Sequence, residues 1–262
     1  MEEGGNAIMI IRTNEEEIIL IRQHDHGLLA GEFAKKFRKD FFEETAYLNE
    51  CVDAVDQHDK GWIGLDKTPI WNDAKNVPYS FMDCPSSLRF VFYSIGLNEI
   101  ENSNPYGAML CSKHFTSFPL NPKDPEMVSF YKQELDRQKK FLKTLTKERY
   151  TMFDKHYKLL KFCDELSLYA CMNEPGVTKE EEIDLFKKGF EGTEIFNTVT
   201  DKSFTAEWID KEKIRITPFP FESEFKTHVR YKSIPKNIIE EMGIVKADEE
   251  AECKKLELHF MR

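Results

Sequence analysis

The chain has 262 residues, of which 40% are hydrophobic and 13% aromatic, so it can bury a large core without cross-links. Its formal net charge of −10 argues against general nucleic-acid binding and against binding to an anionic membrane, because both favour a basic face. The sequence has no run of about 20 apolar residues that would span a membrane, and its acidic start is unlike a secretory signal. We therefore expect a cytosolic protein.

The first predicted elements are strands, because residues 7–12 and 17–22 are Ile-rich runs on either side of a polar turn. Apolar spacing of three and four residues then predicts a block of helices. An Asn followed by Pro at 104–105 is a typical helix start. The predicted helices cover residues 27–39, 42–60, 87–95, 105–118, 124–144 and 147–172, with a loop up to residue 85.

The last third of the chain has the alternating pattern of β-strands. An isolated two-stranded hairpin is marginal in water, so we expect the N-terminal hairpin to pair with these strands. A short acidic run at 247–252 is interpreted as a solvated surface segment. The predicted strands are residues 193–199, 203–209, 213–218, 219–225, 228–232 and 256–261, with a short helix at 235–242.

These elements predict an α+β fold, with a mainly helical core and an antiparallel sheet built from the N-terminal hairpin and the C-terminal third. We divide the chain into the hairpin (residues 1–22), the helical domain (residues 23–176) and the C-terminal β region (residues 177–262). No CxxC pair, P-loop, GxGxxG or GxSxG pattern occurs. The cysteines therefore read as reduced core thiols; they are Cys51, Cys84, Cys111, Cys163, Cys171 and Cys253.

Polar residues on predicted inward helix faces are the main functional signal. The adjacent pair His58-Asp59 continues an apolar stripe, and a buried carboxylate without a partner costs several kcal/mol, roughly. His26, Asp164 and His114 occupy equivalent inward positions on other helices. Taken singly, each has an ordinary explanation as a satisfied core residue. Together, the imidazoles of His26 and His58 and the carboxylates of Asp59 and Asp164 predict a site for a divalent metal, namely Mn, Fe, Co, Ni, Mg or Zn.

The order of these residues resembles the H…HD…D signature of the HD-domain superfamily of metal-dependent phosphohydrolases. The resemblance covers about residues 23–172 and includes the stretches at 23–31, 57–62 and 104–115, which also resemble an uncharacterised bacterial branch without an assigned substrate. It implies an HD-like helical domain in which His26, His58, Asp59 and Asp164 bind the metal. Many members carry His-Asp-x-Gly-Lys, whereas here Trp62 follows Gly61.

The implied activity is hydrolysis of a small phosphate ester or nucleotide by water that the metal activates. His114 is expected to bind a second ion, to hydrogen-bond the phosphate or to act as general acid. Lys60 is a candidate phosphate ligand or a solvated side chain. Asp66 is expected to orient water or to serve an ordinary turn.

Two rival functions stay open: a non-catalytic metal- or nucleotide-binding sensor or scaffold, and an HD-type di-iron oxygenase. The substrate is not identified by the sequence, and a homo-oligomer is left open.

Overall fold

A computed structural model describes residues 9–42, 45–144, 146–197 and 201–262. It shows the predicted α+β class, with a helical assembly packed against a six-stranded sheet. In the described part of the chain, none of the helices has both the length and the apolar character needed to cross a membrane.

The helices follow the predicted order, but several of their ends differ from the prediction. Asn104 caps the fourth helix as expected, since its side chain accepts a hydrogen bond from Gly107 N. The helices are α1 (Gln23–Lys36), α2 (Leu48–Gln57), α3 (Ser86–Ser103), α4 (Pro105–Phe115), α5 (Pro125–Leu142), α6 (Lys147–Met172), α7 (Asp184–Lys187), α8 (Lys236–Met242) and α9 (Ile244–Glu250).

The predicted helix at 42–60 is wrong at both ends. Residues 43–44 lie outside the described residues, and Tyr47 takes a left-handed conformation with φ 59° before α2 begins. His58 and Asp59 follow the end of α2 and are succeeded by a 3-10 helix at Lys60–Lys67. The segment that was predicted as a loop therefore contains this 3-10 helix and a small hairpin of strands β3 (Trp71–Asn72) and β4 (Val77–Pro78).

The N-terminal hairpin pairs with the C-terminal strands, as predicted. Strand β2 lies antiparallel to β7, with Glu17 opposite Pro235. The sheet order is β1-β2-β7-β8-β6-β5. Its strands are β1 (Ile10–Thr13), β2 (Glu17–Ile21), β5 (Thr205–Trp208), β6 (Lys213–Thr217), β7 (Phe225–Pro235) and β8 (Cys253–Met261).

The sheet is mainly antiparallel, as predicted, and among the described strands the pair β6 and β8 is parallel. The chain between these strands contains β7, α8 and α9, which is long enough for the crossover that a parallel pair needs. The acidic run differs from the prediction, since it overlaps α9 and its Asp248 is buried. The Lys232 Nζ atom lies 3.1 Å from Asp248 Oδ1.

Two predicted strands are absent from the described residues that they cover. Thr193–Phe196 forms a 3-10 helix, and residues 198–200 of the same prediction lie outside the description. Residues 219–224 join no strand, although Phe221 makes an isolated bridge to Phe37. Pro218 and Pro220 supply no backbone donor, which explains why the apolar alternation there does not extend a ladder.

The main core runs through both the helices and the sheet. The ring of Phe33 on α1 lies 4.7 Å from that of Phe260 on β8 and 5.9 Å from that of Phe221. One contiguous cluster of buried side chains therefore joins the segments that we divided at residue 176. This packing holds α1 and α6 against the sheet.

Candidate metal centre

Three helical segments bring the predicted ligands together in the interior. His26 lies on α1, the His58-Asp59 pair follows α2, and Asp164 lies in the middle of α6. Asp59, the most exposed of the four, is only 7% exposed. All four residues are buried, as the apolar periodicity predicted, although His58 and Asp59 lie just beyond the end of α2.

The four side chains contact one another directly. His26 Nε2 lies 3.1 Å from Asp59 Oδ2 and 3.4 Å from Asp164 Oδ1. His58 Nε2 lies 3.3 Å from Asp164 Oδ1 and 3.8 Å from Asp59 Oδ2. Ligand atoms of His26, His58 and Asp164 all lie within 4.8 Å of one another, and Asp59 joins this group through its contacts with both imidazoles.

The distances between these ligand atoms are short enough for all of them to bind one metal ion. Two ligand atoms that are each about 2.1 Å from a metal, at angles of 90–110°, are about 3.0–3.4 Å apart. Most of the measured contacts have this spacing. His58 Nε2 is also buried without a hydrogen-bond partner among the described residues, although it lies 3.3 Å from Asp164 Oδ1. The donor set therefore has the composition and spacing to hold a divalent metal.

Both imidazoles have their other nitrogen engaged. His58 Nδ1 lies 2.7 Å from the carbonyl oxygen of Val55, which can only accept, so Nδ1 carries the proton. His26 Nδ1 lies 2.6 Å from Ser167 Oγ. Such outer contacts orient metal-binding histidines in proteins, because they determine which nitrogen keeps its lone pair.

The electrostatics of the metal-free protein favour a cation between the four candidate ligands. Burial acts to lower the pKa of His58, but the carboxylates of Asp59 and Asp164 more than offset it and raise the pKa to about 9. Burial also acts to raise the pKa of Asp164, yet the facing histidines hold it well below its usual value. The Asp164 carboxylate therefore stays ionised, and the cluster attracts either a proton or a metal ion.

His114 joins the edge of this cluster. Its Nε2 lies 3.4 Å from Asp164 Oδ2, and its Nδ1 is buried without a hydrogen-bond partner among the described residues. Burial lowers the pKa of His114, and the nearby Asp164 carboxylate offsets this only in part. A neutral imidazole is a better hydrogen-bond donor or metal ligand than a proton source, which disfavours the expected role as general acid.

The outer side of His114 is covered by Phe118. The two ring centroids are 5.2 Å apart, and Phe118 is 44% exposed. It lies beyond α4, which ends at Phe115. The protein surface therefore comes close to the cluster at this position.

The other two candidate residues have different partners. Lys60 is partly exposed, and its Nζ lies 3.8 Å from Glu99 Oε2 on α3. Asp66 accepts hydrogen bonds from the backbone N–H groups of Gln23 and His24, at 3.0 and 2.8 Å. These bonds satisfy the first turn of α1, which carries His26. Burial raises the pKa of Asp66 to about 7 although the two backbone bonds oppose it.

Several supporting residues were not identified from the sequence. Ser167 follows Asp164 by one helical turn, so its spacing was a usable signal. Arg230 on β7 donates to the buried Asp25, the residue before His26, through Nε at 3.0 Å and Nη2 at 2.5 Å. Arg12 on β1 donates to the carbonyl of Asn173 just after α6. No local pattern predicts these contacts, because their partners are more than 100 residues apart in the sequence.

Comparison with known proteins identifies a family but no activity. Curated proteins and solved structures gave no match. A family model described as "Protein of unknown function (DUF3891)" matches residues 9–236, a range that includes every candidate ligand. The chain therefore belongs to the DUF3891 family.

Proposed function

We propose that this protein is a metal-dependent hydrolase that cleaves a phosphate ester or nucleotide with one divalent ion. The observation that carries this proposal is the convergence of His26, His58, Asp59 and Asp164, with a hydrogen-bond acceptor at Nδ1 of each imidazole. The resemblance to the HD-domain superfamily is part of the proposal, since it supplies the phosphohydrolase chemistry that geometry alone does not specify.

His26 and His58 would hold the ion through imidazole nitrogens, and Asp59 and Asp164 would hold it through carboxylate oxygens. When bound, the ion supplies Lewis-acid chemistry: it lowers the pKa of water and neutralises charge that develops on the phosphoryl group. Asp59 and Asp164 balance the charge of the ion. His114 would contact the phosphate through an imidazole N–H, because it borders the cluster without completing the group of closest ligand atoms.

The expected substrate is small and phosphorylated, and the expected location is the cytosol. The surface near Phe118 is the proposed approach for the substrate, because this exposed ring packs on His114.

The charge of −10 supports the expectation of no general nucleic-acid or membrane binding. Lys60 and Asp66 have no catalytic role in this proposal, because Lys60 pairs with Glu99 and Asp66 caps α1.

Metal content provides the first test. The wild-type protein, Asp164→Asn and Asp154→Asn would be stripped with chelator, incubated with Mn²⁺, Co²⁺ or Zn²⁺ and analysed by mass spectrometry after desalting. Asp154 lies on the same helix, but its side chain is 44% exposed and pairs with Lys113. We expect about one ion per chain in the wild type and in Asp154→Asn, and loss of the ion in Asp164→Asn. Equal metal content in all three would refute the ligand assignment.

Activity then separates the candidate functions. Loaded protein would be screened against phosphomonoesters, cyclic nucleotides and nucleoside triphosphates. Hydrolysis that disappears in Asp59→Ala supports the proposal, whereas undiminished hydrolysis in that variant contradicts it. Metal binding without turnover would favour the sensor or scaffold, and two irons per chain with O₂ consumption would favour the oxygenase.

A further inference from the structure

We propose that Ser167 is a positioning residue that holds the His26 imidazole with its proton on Nδ1, so that Nε2 presents its lone pair to a cation. The inference rests on the proposed function, because it concerns the same metal centre. Ser167 lies on α6, the helix that also supplies Asp164, and it would fix the orientation of the His26 ring.

The direction of the hydrogen bonds follows from the number of protons available. Ser167 Oγ lies 2.8 Å from the backbone carbonyl of Asp164 and 2.6 Å from His26 Nδ1, and Ser167 is fully buried. A hydroxyl has one proton and a carbonyl can only accept, so Ser167 donates to Asp164. Its lone pair then accepts from His26, which requires a proton on Nδ1. The nitrogen facing Asp59 is therefore the one available to a metal.

His58 also keeps a proton on Nδ1, but a different group accepts the hydrogen bond. Its Nδ1 donates to the Val55 carbonyl at 2.7 Å, in the helix that ends just before His58. His26 instead depends on a side chain from a distant part of the sequence. Consequently, a single substitution can remove the acceptor of His26 while leaving that of His58 intact. This asymmetry makes the role of Ser167 testable.

A serine hydroxyl bonded to its own helix needs no functional explanation by itself, so a matched control is required. Ser94 on α3 donates to the Phe90 carbonyl at 2.8 Å in the same manner. No hydrogen bond between Ser94 and a histidine occurs among the described residues. Ser94→Ala therefore removes the local helical bond alone, whereas Ser167→Ala also removes the acceptor of His26 Nδ1.

The experiment measures Co²⁺ binding to chelator-stripped wild type, Ser167→Ala and Ser94→Ala by calorimetry and by visible absorption. Removing an outer hydrogen-bond partner of a metal ligand typically weakens binding about 10–100-fold. We expect such an increase in the Co²⁺ dissociation constant for Ser167→Ala, together with altered visible bands because the imidazole is no longer fixed. Ser94→Ala should match the wild type in both measurements.

The possible failures are distinguishable. Equal affinities and spectra for Ser167→Ala and the wild type would overturn this inference and leave the proposed function intact. Absence of Co²⁺ binding by the wild type would overturn both. If Ser167→Ala does not fold, Ser167→Cys replaces it, since a thiol is a weak acceptor and should give an intermediate loss of affinity. Wild-type affinity in a folded Ser167→Cys would likewise overturn the inference.

Discussion

His26 Nε2 lies 3.1 Å from Asp59 Oδ2, so ligands from α1 and from the end of α2 are in contact across the packing of these helices. The second carboxylate, Asp164 from α6, lies 3.4 Å from the same nitrogen. Two buried carboxylates this close to one imidazole require positive charge between them. In the metal-free protein the neighbouring His58 supplies this charge, because its pKa is raised to about 9, and a metal ion would displace its proton.

The metal-free protein should lose stability as the pH rises from about 6.5 to 9. The pKa of His58 is raised to about 9 in the folded state, above its ordinary value of about 6.5. The folded state therefore binds the proton more tightly, and this stabilisation is complete below pH 6.5 and lost as the pH passes 9. Thermal unfolding in chelator across this range measures the decline.

Two other groups must be separated from His58 in that experiment. Burial raises the pKa of Asp66 and of Glu165 to about 7. The folded state therefore binds these two protons more tightly than the unfolded state, and the stabilisation that they give is largely lost by the time the pH reaches about 7. The decline above pH 7 should be shallower in His58→Gln and in metal-loaded wild type. An equally steep decline in His58→Gln would contradict the assignment.

Gly96→Ala should destabilise the protein by about 1–3 kcal/mol through overpacking. A Cβ atom at Gly96 would lie 2.6 Å from Gly61 N and 2.7 Å from Gly61 Cα, where only backbone is available to move. This contact packs α3 against the turn that follows Asp59. Helix propensity alone predicts the opposite sign, because Ala is better than Gly by about 1 kcal/mol. Denaturant unfolding measures the sign directly.

Gly64→Ala is the control for this substitution. Its Cβ would make an ordinary contact at 3.5 Å with Phe92 Cε1. We expect little change in the free energy of unfolding. If Gly96→Ala were as stable as Gly64→Ala, the close packing of Gly61 on Gly96 would not constrain the turn.

How far the sequence determines the site depends on the range of the interactions. The inward faces of α1, α2 and α6 are local properties, so apolar periodicity located His26, His58 and Asp164 correctly. Helix ends were less accurate, because they depend on contacts such as the approach of Gly61 to Gly96. The Ser167 contact with His26 joins residues 141 positions apart and follows no local rule.

The same distinction explains the errors in the sheet. The alternating apolar residues at 219–224 are explained by burial, since Phe221 packs against Phe33, but Pro218 and Pro220 lack the backbone donor that a strand pairing would need. At Thr193 the side chain forms the hydrogen bonds that a neighbouring strand would otherwise provide. Its Oγ1 donates to the Phe190 carbonyl and accepts from Phe204 N. Hydrophobic pattern therefore predicted burial more reliably than it predicted backbone pairing.

Arg230→Gln should destabilise the protein by about 1–3 kcal/mol, because it leaves the buried Asp25 carboxylate without its cation. The expected loss is smaller than for a fully buried pair, because the Arg230 side chain is 49% exposed. Arg215→Gln is the matched control, because Arg215 and its partner Glu207 are both well exposed. Its expected cost is below about 1 kcal/mol. Similar losses in both variants, measured by denaturant unfolding, would argue against a bracing role for Arg230.

His114→Gln should keep one metal ion per chain while it lowers the rate of phosphate ester hydrolysis. His114 contacts Asp164 at 3.4 Å but lies outside the closest group of ligand atoms. Because a glutamine amide donates a hydrogen bond with different geometry, we expect a loss of about 10²-fold or more, typical of a catalytic group. Metal analysis and steady-state kinetics on the same preparation measure both effects. A fall from two ions to one would instead identify His114 as a ligand to a second metal, and unchanged kinetics would remove it from the site.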